Sequence, residues 1–242
     1  MTNLKLQCSL VFFALLSYVG CSTSQGPAAN FEELDASVCA PSQGSFTLEI
    51  DNEFFPLPVG RVLELEGDEN GTKVRLVVTV LDETEEVAGV TTRVVEETAY
   101  EDDELVEFAR NFFAQASDGT VCYFGEDVDN YEDGKVDNHN GTWRAGEGDN
   151  LPGIIMPASP RVETKFAQEK APGVAEDMSA IVGLGESTTV PAGEFSNVLH
   201  ALDWNPLDGQ TSADGEDKKY APGIGLIFDN GVELVSMTDS SP

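Results

Sequence analysis

The sequence predicts an all-β protein: an antiparallel meander that forms a barrel or a curved half-barrel or sandwich, with little helix. Turn signals centred on Gly, Asn and Asp recur about every ten residues, a spacing that is typical of such folds. Short apolar segments rich in β-branched and aromatic residues lie between these turns. Residues 73–81 also alternate with period two, with Val74, Leu76, Val78 and Val80 on one face.

The expected strands follow one another along the domain, each bounded by a turn. The first hairpin turns at residues 68–71, and the next ones turn at 88–89 and 101–103. In chain order the expected strands are residues 61–66, 73–81, 90–100, 105–116, 120–125, 142–145, 152–157, 162–170, 174–184, 188–190, 195–204, 218–228 and 232–237.

Residues 105–116 fit two patterns, and periodicity alone does not decide between them. The positions with helical spacing are Leu105, Phe108, Ala109, Phe112 and Phe113. The positions that alternate as in a strand are Val106, Phe108, Phe112 and Ala114, with a break at Arg110. Acidic residues before the segment and Ser-Asp-Gly at 117–119 favour a strand, as the first arm of a hairpin whose second arm is 120–125.

The charge excludes one large class of function. The chain carries 44 acidic and 13 basic residues, for a net charge of −31. Nucleic-acid binding needs clustered Lys and Arg, and adsorption to anionic lipid heads needs the same, so neither partner is expected. A divalent cation or a cationic partner agrees with this charge, and so does an acidic, solvated surface in a saline habitat.

The N-terminus reads as a targeting segment. Residues 1–20 carry one charge, Lys5, and an apolar stretch at 10–19 that is shorter than the roughly 20 residues of a membrane span. The end of this segment, Tyr18-Val19-Gly20-Cys21, resembles a bacterial lipobox, although Tyr18 stands where Leu is usual. That resemblance implies acylation of Cys21, and Ser22 after it implies the outer membrane or the cell surface. The alternative is an ordinary signal peptide and a secreted protein.

Three regions follow from this interpretation. Residues 1–20 are a signal peptide, residues 21–44 are an acidic, Ser-rich tether, and residues 45–242 are a single β-domain. Cys39 in the tether and Cys122 in the domain are the pair left in an oxidising compartment, which predicts a disulfide between them. The alternative is two unrelated thiols, with Cys122 buried in a strand.

Two stretches of the second half carry a resemblance. They are VPAGEFSNV, at residues 190–198, and KYAPGIGLI, at residues 219–227, and each combines a turn with an apolar strand. Together they resemble a group of secreted or lipid-anchored bacterial proteins of unknown function. The resemblance implies antiparallel β-structure and a place in the cell envelope, and it implies no activity.

The usual catalytic and metal-binding patterns are missing from the sequence. No G-x-S-x-G, H-E-x-x-H or paired-Cys zinc motif is present, and His139 and His200 are the only histidines. Ser196 precedes His200 by four residues, which on a strand separates them by about 13 Å, too far for a catalytic pair. We expect no cofactor, and calcium is the one metal that the composition leaves open.

Calcium prefers hard oxygen ligands, and residues 126–134 are rich in them. Asp127, Asp129 and Asp133 are the candidate ligands. The segment is not an EF-hand loop, because Tyr131 and Asn140 occupy two of the positions that must supply ligands. The alternative is a solvated hairpin tip.

A curved β-sheet can also hold an apolar ligand against its concave face. The aromatic residues that could line such a groove are Phe54, Phe55, Trp143, Phe166, Trp204 and Tyr220. The alternative is that all six belong to the hydrophobic core.

The sequence therefore predicts an exported, lipid-anchored, acidic β-module that is a binding or envelope-structural protein rather than an enzyme. Its expected partners are the membrane, through the lipid anchor, and an apolar envelope ligand or a protein. Two alternatives remain open: a calcium-responsive surface protein, and a hydrolase with carboxylate chemistry.

Overall fold

A computed structural model describes residues 31–69 and 71–239, and these residues are built almost entirely of β-strands. The strands are β1 (Glu32–Glu33), β2 (Phe46–Thr47), β3 (Val62–Glu69), β4 (Thr72–Val87), β5 (Val90–Glu101), β6 (Glu104–Ala116), β7 (Val121–Glu132), β8 (Lys135–Asn138), β9 (Trp143–Arg144), β10 (Gly153–Met156), β11 (Thr164–Ala167), β12 (Met178–Val190), β13 (Gly193–Trp204), β14 (Glu216–Ala221), β15 (Gly225–Asp229) and β16 (Val232–Thr238). Three short 3-10 helices cover Ala36–Cys39, Pro41–Gln43 and Pro206–Asp208. The predicted all-β class with little helix is confirmed.

The strands form one large curved sheet that is not closed into a barrel. Two meanders make up most of it: β3 to β7, and β11 to β16, with neighbours in sequence paired antiparallel. The pairing of β16 with β3 joins the two meanders, and β1 beside β11 is a parallel pair. The predicted antiparallel meander with a curved sheet is therefore confirmed.

The two ends of this sheet approach each other where β10 lies near β11, a junction that we call the seam. The backbone N–H of Leu151 donates a hydrogen bond to the carbonyl of Lys170 across it (3.0 Å). A Cβ atom at Gly153 would lie 2.0 Å from the carbonyl oxygen of Gln168, so only glycine allows this approach. The seam is thus closely packed, although β10 and β11 do not form a continuous ladder.

The ambiguous segment 105–116 is a strand, as predicted, and it lies in β6 between β5 and β7. Its inward face differs from the alternation read in the sequence, because Glu107 and Asn111 point inward while Phe108 is only half-buried. A register shift between Asn111 and Phe113 then brings both Phe112 and Phe113 into buried positions. The sequence does not show which face of this strand is buried, because polar residues occupy some of its inward-facing positions.

The core contains a series of aromatic rings in contact, whose separations are given between ring centroids. Phe113 lies 5.3 Å from Phe55 and 4.8 Å from Tyr123, and Tyr123 lies 5.4 Å from Trp143 in an edge-to-face arrangement. Such pairs each contribute about 0.5–1.5 kcal/mol beyond the burial of their area. They join the middle of the sheet to β9, near the seam.

The described part of the expected tether is packed on the domain, which corrects the expectation of a tether up to residue 44. Phe31 and Leu34 pack against the core, and β1 pairs with β11. Cys39 forms a disulfide with Cys122 on β7, with Cα atoms 5.5 Å apart, so the predicted bridge is confirmed. Apolar side chains and the bridge both fix this segment.

The proposed signal peptide and Cys21 lie outside the described residues. The described residues include no helix with the length and hydropathy needed to cross a bilayer.

Candidate functional site

The structure does not bring the three candidate calcium ligands together. Asp127 accepts a hydrogen bond from Nε of Arg144 (3.0 Å), and Asp129 lies 2.7 Å from Nδ1 of His139. Asp133 sits in the turn between β7 and β8, with φ of 52°. Within the described part of the chain, no three His, Cys, Asp or Glu side chains form a group that could hold a metal ion.

His200 is held between two neighbouring strands. Its Nε2 lies 2.5 Å from Oδ1 of Asp217 on β14, and its Nδ1 lies 3.4 Å from Oε1 of Glu186 on β12. Both ring nitrogens therefore face carboxylates, and Ser196 is not a partner of either. This geometry describes a cross-strand polar contact rather than a catalytic pair.

The six aromatic candidates for an apolar groove all lie in the hydrophobic core, each at most 8 % exposed. Phe55 borders an apolar pocket of about 30 Å³ together with Leu63, Val78 and Leu226. That volume is far smaller than the roughly 300–1,000 Å³ of a small-molecule site.

The interior holds a set of buried acids that we call the carboxyl network. Each of its members is at most 5 % exposed. They come from β5, β6, β7, β13 and β15, and from the connection between β11 and β12. They are Glu97, Glu107, Glu126, Glu169, Asp177, Asp203 and Asp229. Charges at such positions need partners, because a buried ion without compensation costs several kcal/mol or more.

One half of the carboxyl network lies beside the seam. Glu126 on β7 is hydrogen-bonded to Glu169, and Glu169 is hydrogen-bonded to Asp177. The indole Nε1 of Trp143 also donates to Oε1 of Glu169 (3.2 Å). Burial, and then the neighbouring acidic charges, raise the pKa of Glu126 and of Asp177 well above the ordinary carboxyl value.

Tyr123 connects this half of the carboxyl network to the aromatic core. Its hydroxyl donates to Oδ1 of Asn111 (2.5 Å) and is also hydrogen-bonded to Glu126. Burial, followed by the charges of Glu126 and Glu169, raises the pKa of this phenol well above its usual value. The group is a neutral hydrogen-bonding partner at every ordinary pH.

The other half of the carboxyl network surrounds Lys218. Its Nζ lies 2.6 Å from Oδ2 of Asp229 on β15. Burial alone would lower the pKa of this ammonium, but the charges of Asp229 and Asp203 reverse the effect and the pKa lies above its usual value. Burial raises the pKa of Asp203 to about 6, and the nearby Lys218 limits that rise.

Two half-buried acids lie at the ends of strands beside this second half. Burial and the charges of Asp229 and Glu101 raise the pKa of Glu69 to about 7, while Lys218 opposes the rise. Burial and the charge of Asp102 raise the pKa of Glu101. These two carboxyls are the parts of the interior electrostatics that are closest to solvent.

Sequence reasoning did not identify the carboxyl network. In a chain with 44 acids, a single Glu within a strand gives no signal of its own. One signal was available: Glu97, Glu107 and Glu126 share the inward phase of their strands with buried Ala99, Ala109 and Val128. An acid at an inward position between buried apolar residues indicates an interior polar site.

The outer surface carries an open groove of about 530 Å³. Cross-strand pairs from the β3–β4 hairpin form its floor, with Glu66 opposite Arg75 and Asp68 opposite Lys73. Pro191, at the tip of the β12–β13 hairpin, forms one wall. That tip is fixed, because the N–H of Ala192 donates to the carbonyl of Leu234 on β16 (2.9 Å).

Comparisons of this chain with protein-family models, with curated proteins and with solved structures find no match.

Proposed function

We propose that this protein is an exported, lipid-anchored binding module of the bacterial cell envelope, and that the surface groove is its binding site. The observation that carries the proposal is the groove itself, whose volume of about 530 Å³ lies within the range of small-molecule sites. The lipobox-like Cys21 and a buried disulfide support an address in an oxidising compartment.

The lining of the groove favours a zwitterionic ligand. Lys73 and Arg75 supply positive charge, although the chain has 13 basic residues against 44 acidic ones. Glu66 and Asp68 supply negative charge directly across the strand pair. A ligand that carries both an ammonium and a carboxylate or phosphate group would find a partner for each charge.

The groove is also pre-formed, which lowers the entropy that binding must overcome. The guanidinium carbon of Arg75 lies 3.8 Å above the ring of Tyr100, so this side chain is held flat on the strand. The backbone N–H of Lys73 donates to Oδ1 of Asp102 (3.1 Å), which fixes the floor at its other end.

The interior offers less support for a binding site. The aromatic residues that would line an apolar groove are buried in contact with one another and with the rest of the core. The carboxyls with raised pKa lie in the packed interior, with Asp177 and Glu126 at most 3 % exposed, where a hydrolase substrate would have to displace core residues.

Native mass spectrometry tests the proposal on the full chain purified from its own host. We expect an added mass on the native protein that is lost in the variant Lys73→Ala. The matched control is Lys135→Ala, which removes an exposed lysine on β8 away from the groove and should keep the added mass. A native protein without added mass, or an added mass that survives Lys73→Ala, would overturn the assignment of the groove.

A further inference from the structure

Two layers of contact hold the seam between β10 and β11. On the outside, the N-terminal segment crosses it as a strap: Glu32 pairs with Thr164 on β11, and Cys39 is bonded to Cys122 on β7. On the inside, the carboxyl network crosses it. The two layers connect the same two edges of the sheet.

The inner layer depends on protons. A hydrogen bond between two carboxyl groups forms only while one of them is protonated, because an ionised carboxylate is an acceptor only. Glu126 on one side of the seam is joined in this way to Glu169 on the other, and Glu169 to Asp177. Loss of these protons would replace the hydrogen bonds by like charges in contact in a medium of low dielectric constant.

Backbone pairing at the seam is weaker than elsewhere in the sheet. An isolated bridge between Leu151 and Lys170 crosses it. Away from the seam, β12 and β13 are paired from Met178 and Trp204 to Val190 and Gly193, with bulges along the way, and β4 and β5 are paired over a similar length. If repulsion develops inside the sheet, the seam is where the sheet can part at the lowest cost.

We propose that the seam is a releasable joint, held closed from inside by protons shared between carboxyl groups and from outside by the disulfide strap. As pH rises, loss of the shared protons parts β10 from β11, while the two meanders stay folded.

The groups that act on the buried carboxyls of the joint are acidic residues and a tyrosine. Those that face Glu126 are Glu169, Glu107 and Tyr123, those that face Asp177 are Glu169, Glu126 and Asp203, and Glu97 faces Tyr123. Lys218 acts on Asp203, whose pKa it lowers. Because the pKa of Glu126 and of Asp177 is raised in the folded state, the joint is closed below the ordinary carboxyl pKa and opens as pH rises through the raised values.

Trp143 reports on the joint, because its indole is buried and bonded to Glu169 at the seam. The variant Trp204→Phe leaves it as the single tryptophan of the chain. Acrylamide quenching would be measured from about pH 5 to about pH 10, with far-UV circular dichroism recorded on the same samples. We expect quenching to rise severalfold at the alkaline end while the β-sheet signal persists.

The variant Glu169→Gln should remove this rise, because a neutral amide both donates and accepts without a shared proton. The control Glu147→Gln, at an exposed turn, should leave the rise in place. Reduction of the disulfide should move the rise to lower pH, because the strap no longer holds the edges together.

Four results would overturn the joint, and the fourth is suppression of the rise by millimolar Ca²⁺ alone. The first is quenching that stays flat over the whole pH range, and the second is a rise that Glu169→Gln does not change. The third is loss of the β-sheet signal together with the rise, which would show that the whole domain unfolds. If millimolar Ca²⁺ alone suppressed the rise, the carboxyls would be cation ligands rather than proton holders.

Discussion

Lys218 and Asp229 form an ion pair inside the sheet, with Nζ 2.6 Å from Oδ2 and side chains that are 1 % and 7 % exposed. The pair lies on adjacent strands, at opposed positions of β14 and β15. Asp203 on β13 is close enough for the ammonium to limit the rise of its pKa. One cation therefore compensates two interior carboxyls, and its loss leaves both uncompensated.

Replacing this cation is expected to be strongly destabilising. Lys218→Met should lower the free energy of unfolding by about 3–5 kcal/mol at neutral pH, because it leaves a buried carboxylate without its partner. The double variant Lys218→Met/Asp229→Asn should cost clearly less than the sum of the two single variants. Urea unfolding of the four proteins of this cycle provides the measurement, and additive costs would contradict the coupling.

The disulfide should stabilise the fold by lowering the conformational entropy of the unfolded chain. Cys39 and Cys122 are 83 residues apart, a loop for which the chain-entropy model gives about 4–5 kcal/mol, and measured values are commonly about 2–4 kcal/mol. In a Cys21→Ser background, Cys39→Ala/Cys122→Ala should therefore lower the urea midpoint. Reductant should shift the parent to the same midpoint and leave the double variant unchanged; a parent that does not respond to reductant would contradict this expectation.

The fold was largely predictable from the sequence, because its signals are local. Gly- and Asn-centred turns and the period-two pattern around Val74 and Val78 locate hairpins, and a meander needs nothing else. Export chemistry likewise singled out Cys39 and Cys122 before their distance was known. The turns and strands depend on residues that are neighbours in sequence. The disulfide follows because only two cysteines remain after the signal peptide and the anchor are assigned.

The interior site was not predictable, because it depends on residues brought together from distant strands. Glu126 and Glu169 meet across the seam, and neither has a sequence neighbour that indicates the other. Of the acids singled out by density, Asp129 has His139 as its partner and Asp127 has Arg144. In so acidic a chain, a run of acids indicates an exposed segment. A buried acid is indicated instead by its place at an inward-facing position of a strand.

The lipid anchor predicted at Cys21 lies outside the described residues and stays a prediction. Expression of Cys21→Ser in the host should move the protein from the membrane fraction to the soluble fraction and abolish fatty-acid labelling. Cys8→Ser, within the signal segment, is the matched control and should keep the label. Labelling that survives Cys21→Ser would mean that the fatty acid is attached elsewhere, and a parent protein without label would mean that the segment is an ordinary signal peptide.

Glu69 should make stability fall across neutral pH. Its Oε1 is buried without a hydrogen-bond partner among the described residues, and burial together with the charges of Asp229 and Glu101 raises its pKa to about 7. A carboxyl raised from the ordinary value of 4.5 contributes its full stability below about pH 4.5, and this contribution is lost as pH rises through about 7. The ionised group destabilises the fold at higher pH.

Glu69→Gln keeps the size of the side chain and removes the ionisation. We expect it to raise stability at about pH 9 by about 1 kcal/mol relative to the parent, a value kept small because the group is half-exposed and solvent screens part of the effect. At about pH 5 the two proteins should unfold at similar urea concentrations. Glu86→Gln, on the exposed part of β4, controls for the lost charge alone. Both substitutions relieve the net repulsion in a chain of charge −31 equally. A gain in stability at pH 9 that is confined to Glu69→Gln would locate the pH dependence at this carboxyl. Equal gains in the two variants would show that Glu69 has no special environment.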